Sequence, residues 1–174
     1  MLFCFMFEKF GFTKKLSKEE EIEKISLDAK KVCEETLGGE LADLDIAQYQ
    51  YSSTEAIEEL GLDDELIHQL LEDYVSQILK SLNQFKIYIN KLKYSHDKGL
   101  DLDYTPLREL AHKNLGVARN LRIKDAEKLL YILMKKDNLS HLRISLKVLE
   151  ACAIRLKPAC AYNTLNIMKV KSAF

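Results

Sequence analysis

The residue of this sequence best suited to chemistry is a histidine, His112, in a stretch that alternates apolar and polar side chains. Residues 103–123 read DYTPLRELAHKNLGVARNLRI. Small and apolar residues, with one asparagine, recur there at spacings of four and three, which predicts a helix with one buried face. That face comprises Leu107, Ala111, Asn114, Ala118 and Leu121. At about 100° per residue, His112 lies roughly 140° from the middle of the face, so we expect its ring to point to solvent.

The chemistry available to this imidazole is nucleophilic attack near neutral pH, because an unprotonated ring nitrogen carries a lone pair. Arg108 and Arg119 lie on the same side of the predicted helix. Gly116, one turn after the histidine, adds no side chain that would obstruct an incoming molecule. The pattern therefore predicts an accessible nucleophile between cations, placed to meet an anion.

These residues resemble the motif of the histidine-containing phosphotransfer (HPt) domains of bacterial phosphorelays. The family usually has A-H-x-L-K-G-x-A-x-x-L-G, and this chain has AHKNLGVARNLR at residues 111–122. Three positions depart from the family pattern: Leu115 stands at the usual lysine, Arg122 at a frequent glycine and Asn114 at an apolar core residue. The resemblance covers about residues 51–157.

The resemblance implies a function in two-component signal transduction. His112 is expected to accept a phosphoryl group from the aspartate of a response-regulator receiver domain and to donate it to another. The partners are then a receiver domain and/or a hybrid histidine kinase. No cofactor of its own is expected, since in this family the receiver brings Mg²⁺. The family's lysine helps to neutralise the phosphate, and Leu115 cannot do so, which leaves Arg108, Lys113 or Arg119 to replace it.

Two other interpretations fit the same residues. A binding module without chemistry would dock and modulate a histidine kinase or response regulator, with His112 incidental and an exposed Leu115 as the interface anchor. A structural helical protein without a signalling role is the third interpretation. No Gly-rich phosphate loop, paired-carboxylate site or metal cluster indicates a self-contained enzyme, and no metal site is expected.

Composition is consistent with a small helical protein. The chain has 174 residues, two prolines, six glycines and a formal charge of −1, so no basic field indicates nucleic-acid binding. The four cysteines, Cys4, Cys33, Cys152 and Cys160, form no C-x-x-C pair and are expected to be reduced thiols. No apolar run reaches membrane-spanning length. We expect a cytoplasmic monomer.

The apolar periodicities predict an all-α protein, whose helical hairpins follow from short polar loops. With the resemblance, the expected fold is an antiparallel (up-down) four-helix bundle of HPt type with a short capping helix and an extra N-terminal helix. Residues 1–50 are predicted as an extension with one helix at about 17–37, residues 51–157 as the bundle and residues 158–174 as a C-terminal tail. The Phe-rich residues 1–16 pack on the bundle, rest on a membrane surface or fray; the sequence leaves these alternatives open.

Capping residues predict where individual helices begin and end. Ser17, followed three residues later by Glu20, predicts a capping box at the first helix. Thr105, directly before a proline, is the predicted N-cap of the histidine helix. Ser140 is predicted to cap the last helix of the bundle, and Pro158 to end it.

Overall fold

Every regular element in the structure, a computed structural model that describes residues 16–172, is helical. The elements are α1 (Lys18–Leu37), a 3-10 turn (Ala42–Leu44), α2 (Thr54–Leu60), α3 (Asp64–Asp97), α4 (Thr105–Asn120), α5 (Lys124–Lys135), α6 (Leu139–Leu156) and α7 (Pro158–Ser172). The all-α class is therefore confirmed. None of these helices offers an apolar stretch long enough to cross a lipid bilayer. The predictions made for the Phe-rich start of the chain concern residues 1–15, which lie outside the described range.

The start of α1 has the predicted capping box. The Ser17 hydroxyl oxygen accepts from the Glu20 N–H at 3.2 Å, and the Glu20 carboxylate accepts from the Ser17 N–H at 2.7 Å. At α3, the Asp63 carboxylate accepts from the N–H of Leu66 at 2.8 Å. Each contact satisfies a backbone donor that a helix terminus leaves without an intrahelical partner.

Two other predicted helix starts are wrong by one or two residues. Thr105 is the first residue of α4 rather than its cap, and its N–H donates to the carboxylate of Asp103 at 3.0 Å. Asn138 rather than Ser140 caps α6, and its side-chain oxygen accepts from the N–H of His141 at 2.9 Å. In both cases an Asp or Asn just upstream provides the acceptor, because these residues compete for this role at least as well as Ser and Thr.

The C-terminal region is a helix where a tail was predicted. Pro158 ends α6 by starting α7, because a proline at the first helical position lacks only an N–H that would have had no partner. α7 packs on α3 and α1 and buries Ala161 and Thr164. The hydroxyl of Tyr162 donates to the Glu21 carboxylate on α1. The proline was interpreted only as a stop signal.

Two core helices, α3 and α6, are shared by two sets of neighbouring helices. α3 packs on α4, α6 and α7, whereas α6 packs on α1, α3, α5 and α7. One set is thus α3, α4, α5 and α6, with the histidine helix at its outer side, and the other is α1, α3, α6 and α7. α3 is 34 residues long and contributes the large buried side chains Tyr74 and Phe85. Such a core holds α4 in a fixed orientation.

α4 ends in a Schellman turn whose left-handed position is occupied by an arginine. The Ile123 N–H donates to the Ala118 carbonyl at 3.0 Å, and the Arg122 N–H donates to the Arg119 carbonyl at 3.1 Å. Arg122 has φ 57°, where a Cβ is sterically unfavourable and glycine is usual. The glycine that the HPt motif often has at this position would meet the same backbone requirement.

Arg122→Gly is expected to be more stable than Arg122→Ala by about 1 kcal/mol, because only glycine avoids the Cβ penalty in the left-handed region. Both variants lose the ion pair between Arg122 and Glu59, so that loss cancels in the comparison. Urea unfolding of the two variants measures the difference. Equal stabilities would show that the backbone at this turn relaxes to a right-handed conformation.

Candidate functional site

His112 lies on the exposed face of α4, with the predicted helical phase. The five residues predicted to share the opposite face are all buried: Leu107, Ala111, Asn114, Ala118 and Leu121. His112 itself is exposed. The prediction of an outward-facing imidazole on a packed helix is confirmed.

The histidine opens onto a shallow groove of about 420 Å³ between α4 and α5. The groove is lined by Arg108, Glu109, His112, Met134 and Lys135. Two of these residues come from α5, which no local motif around the histidine indicates. The groove is polar at its rim and open to solvent, so a group on another molecule has access to the imidazole.

The ring and the helical turn beside it are both unobstructed. Among residues 16–172, no group hydrogen-bonds or ion-pairs with the His112 ring. A Cβ added at Gly116 would meet no heavy atom of the described residues within 4 Å. Packing within residues 16–172 therefore does not require glycine at 116, and its small size leaves space above α4.

The other histidines have different surroundings. Both ring nitrogens of His68 have partners: Nε2 lies 3.3 Å from the Asp64 carboxylate, and Nδ1 lies 2.8 Å from the Lys157 amine. His96 lies at the end of α3, with its Nδ1 3.5 Å from a neighbouring aspartate. His141 is half-buried. His112 differs from these three histidines because its ring is exposed, lines a groove and has no partner among residues 16–172.

Two of the three predicted cations are held by carboxylates. Arg108 pairs with Asp137 at 2.6 Å and stacks over the ring of Tyr104, 5.2 Å from its centroid. Arg119 pairs with Glu127 at 2.9 Å. The first pair joins the start of α4 to the residues after α5, and the second joins the end of α4 to the start of α5. The two helices are therefore antiparallel. Either arginine would have to leave or share its carboxylate in order to bind an anion.

Two lysines near the site have no such partner. The side chain of Lys113 is exposed, and no partner for it is found within residues 16–172. The same holds for Lys135, which in addition lines the groove with His112. Lys135 was not among the site residues predicted from the sequence. The signal was the short turn between α4 and α5, because residues at similar distances from such a turn face each other.

Leu115 is buried, with 1% of its surface exposed, so the prediction that it is an exposed interface anchor is wrong. It lies about 80° from the middle of the apolar face, on the side towards the histidine. α4 packs on both α3 and α5, so its buried arc is wider than the single stripe that the spacing indicates. The arginines on that side of α4 both reach acidic residues at α5, which shows that α5 covers this flank.

Asn114 is buried as predicted, and its polar atoms have partners. Its side-chain oxygen accepts from Nε2 of Gln77 on α3 at 3.2 Å, and its side-chain nitrogen donates to the Leu110 carbonyl at 2.8 Å. A buried amide is tolerated when its hydrogen bonds are made. The polar residue at an apolar position of the HPt motif is therefore compatible with a packed core.

The site thus consists of the exposed imidazole of His112, a glycine one turn away at position 116 and the ammonium of Lys135 from the adjacent helix. Within the described range 16–172, no cluster of His, Cys, Asp and Glu side chains is arranged to hold a metal ion. The chemistry that this arrangement can perform is transfer of an anionic group to and from the imidazole. Comparison with known proteins assigns no family: no family model matches the chain, and no curated protein or solved structure gives a significant match.

Proposed function

We propose that this chain is a phosphorelay intermediary, which accepts and donates a phosphoryl group on His112 in exchange with receiver-domain aspartates. The observation that carries the proposal is the unpaired His112 ring, exposed in a groove beside Lys135. A carrier histidine has to be open to two successive partners. An exposed position on a rigid helix meets that requirement.

The arrangement of helices supports the same proposal. α3, α4, α5 and α6 pack in a closed cycle, each on the next and α6 on α3. We interpret this cycle as an antiparallel four-helix bundle of HPt type, with α2 as the short capping helix and α1 as the extra N-terminal helix. α7 is an addition to that expected architecture. The histidine lies on the second helix of the bundle, as the resemblance implies.

The proposed reaction requires few catalytic groups from this chain. A neutral imidazole nitrogen of His112 attacks the phosphorus of an aspartyl phosphate. The P–N bond forms as the P–O bond to the aspartate breaks, and the aspartate leaves as a carboxylate. Phosphoryl transfer depends on in-line positioning and on neutralising the charge of the phosphoryl oxygens. The receiver would supply Mg²⁺ and the aspartate, and the helix supplies the aligned nucleophile.

Lys135 is the cation best placed to take over the role of the family's missing lysine. It lines the groove together with His112, whereas Leu115 is buried. The two arginines of α4 are engaged in ion pairs of 2.6 and 2.9 Å. An ammonium without such a partner binds a phosphoryl oxygen without first giving up a carboxylate.

Lys135→Ala is expected to slow phosphoryl transfer by about tenfold, since a hydrogen bond to a charged group contributes about 1.5 kcal/mol or more. Lys135→Arg keeps the charge and should retain most of the rate. Lys147→Ala, which removes an exposed lysine of α6 outside the groove, is the matched control. Single-turnover transfer from a phosphorylated receiver measures the rates. An unchanged rate in Lys135→Ala with a slow Lys113→Ala would assign the role to Lys113.

The test of the function itself is incubation of the full chain with receivers that carry labelled aspartyl phosphate. A phosphohistidine is labile in acid and stable in base, whereas an aspartyl phosphate is labile in base. Label that moves to this chain and shows the first pattern supports the proposal. No transfer from any receiver of a complete panel would overturn it.

A binding module without chemistry is the second candidate. The observation that favours it is the pairing of both arginines beside His112, together with the loss of the usual lysine. Its anchor cannot be the buried Leu115. Tyr131 on α5 is 48% exposed and lines another groove together with Lys128. In this candidate function, Tyr131 takes the place of Leu115 as the residue that contacts the partner. Receiver or kinase binding that fails in Tyr131→Ala, without any transfer of label, would favour this candidate.

A further inference from the structure

Two cysteines that are distant in sequence meet between α1 and α6. The Sγ atoms of Cys33 and Cys152 lie 3.8 Å apart, although 119 residues separate the two positions. Both side chains are buried, with 1% and 4% of their surfaces exposed. Neither is in a disulfide in this structure. Neither cysteine lines the groove that contains His112, so the pair is separate from the proposed phosphotransfer site.

A groove of about 300 Å³ leads from the surface to Cys152 of this pair. Its lining includes Cys152 and two charged residues that adjoin the thiols, Asp125 of α5 and Arg155 of α6. Arg155 carries a positive charge next to the sulfur of Cys33, which favours the thiolate. A small oxidant therefore has a route to Cys152, whose sulfur lies 3.8 Å from that of Cys33, without unfolding of the helices.

The electrostatics of the pair divide the two thiols into different roles. The pKa of Cys33 is lowered to about 7, first by its hydrogen bond with Cys152 and then by Arg155, which together outweigh burial. The pKa of Cys152 is raised well above its usual range by the same hydrogen bond and by burial. These directions favour the thiolate on Cys33 and the thiol on Cys152.

We propose that Cys33 and Cys152 form a redox-sensitive dithiol that closes to a disulfide on exposure to a hydroperoxide and thereby links α1 covalently to α6. The two sulfurs have to approach from 3.8 Å to about 2.05 Å, a movement of less than about 2 Å between helices that pack on each other. The structure represents the reduced form of this pair.

The reaction is balanced by the peroxide as the oxidant. The Cys33 thiolate attacks one peroxide oxygen and breaks the O–O bond, which gives a sulfenic acid, and the hydroxide released becomes water with the proton that Cys33 gave up. The Cys152 sulfur then displaces the sulfenic hydroxyl group, which leaves as water with the thiol proton. Two thiols and one hydrogen peroxide thus yield one disulfide and two waters.

The link would add a covalent bond between two helices that already pack on each other. A bond between positions so far apart in sequence restricts the unfolded chain strongly and stabilises the folded state. The oxidised protein is therefore expected to melt at a higher temperature than the reduced protein. Backbone amides of α1 should also exchange with solvent more slowly, because α1 can no longer separate from α6.

The test is treatment of the folded full chain with hydrogen peroxide, followed by digestion without reductant and mass spectrometry. The expected product is a linked pair of peptides containing Cys33 and Cys152, lighter by the mass of two hydrogens than the reduced peptides together. Dithiothreitol should separate them. Absence of this linked pair, or overoxidation of either cysteine without it, would overturn the proposal.

Single Cys→Ser variants test which cysteines form the disulfide. Cys33→Ser should abolish the link and the rise in melting temperature, while Cys160→Ser should retain both, because Cys160 lies apart on α7 with its thiol donating to the Glu72 carbonyl. Cys4→Ser should also retain both. Should Cys33→Ser unfold, peptide mapping of the wild type still decides the question. A wild-type link through Cys4 or Cys160 instead would contradict the assignment.

Discussion

Replacing His112 by glutamine is expected to reduce receiver-dependent labelling to background. A glutamine amide nitrogen has its lone pair delocalised into the carbonyl and is not a nucleophile, although the side chain remains polar and of similar size. Because His112 is exposed, the free energy of unfolding should change by no more than about 0.5 kcal/mol. Transfer from a labelled receiver and urea unfolding, measured on the same preparation, separate loss of chemistry from loss of fold.

The matched controls are the other exposed or half-exposed histidines. His68→Gln and His141→Gln should label as the wild type does, because one ring is already paired and the other is half-buried at α6. Full labelling of His112→Gln would move the accepting residue elsewhere. Binding of a receiver that is retained in His112→Gln, with no labelling of the wild type, would support the non-catalytic module.

The parts of the fold that follow one local pattern were predictable from the sequence. The phase of α4 depends on one 4-3-4-3 stripe, and the start of α1 depends on two residues three positions apart. Both are confirmed because neighbouring helices reinforce what the local sequence prefers. α7 was missed because the sequence after Pro158 has no single apolar stripe and the proline indicated only a stop. α7 is nevertheless packed on three helices, α1, α3 and α6.

The residues of the candidate site also fall into those that a local motif predicts and those that only tertiary packing brings together. His112 and Gly116 belong to one motif, and the sequence alone locates them together. Lys135 and the carboxylates that hold the arginines come from the other helix of a hairpin, so their proximity depends on the register of α4 against α5. The proximity of Cys33 and Cys152 depends on packing across the whole chain. No local spacing contains that information.

Introducing the lysine of the HPt motif through Leu115→Lys is expected to destabilise the protein by several kcal/mol, on the order of 3–5, rather than to improve transfer. The HPt motif by itself predicts the opposite, because its lysine assists the phosphate. In this chain, however, residue 115 is 1% exposed between α4 and α5. An ammonium there loses its hydration on burial, which is costly. Urea unfolding at neutral pH measures the loss of stability.

Leu115→Met is the control for volume, and it should cost less than about 1.5 kcal/mol because it retains an apolar side chain of similar size. The stability gap between the Lys and Met variants should also depend on pH. Burial lowers the pKa of the introduced lysine in the folded state, so the unfolded state binds more protons and stability rises with pH. The gap should therefore narrow as pH approaches about 10, where the unfolded lysine also loses its proton. A Leu115→Lys protein as stable as the Met variant at pH 7, with faster transfer, would show that residue 115 reaches the phosphate after all.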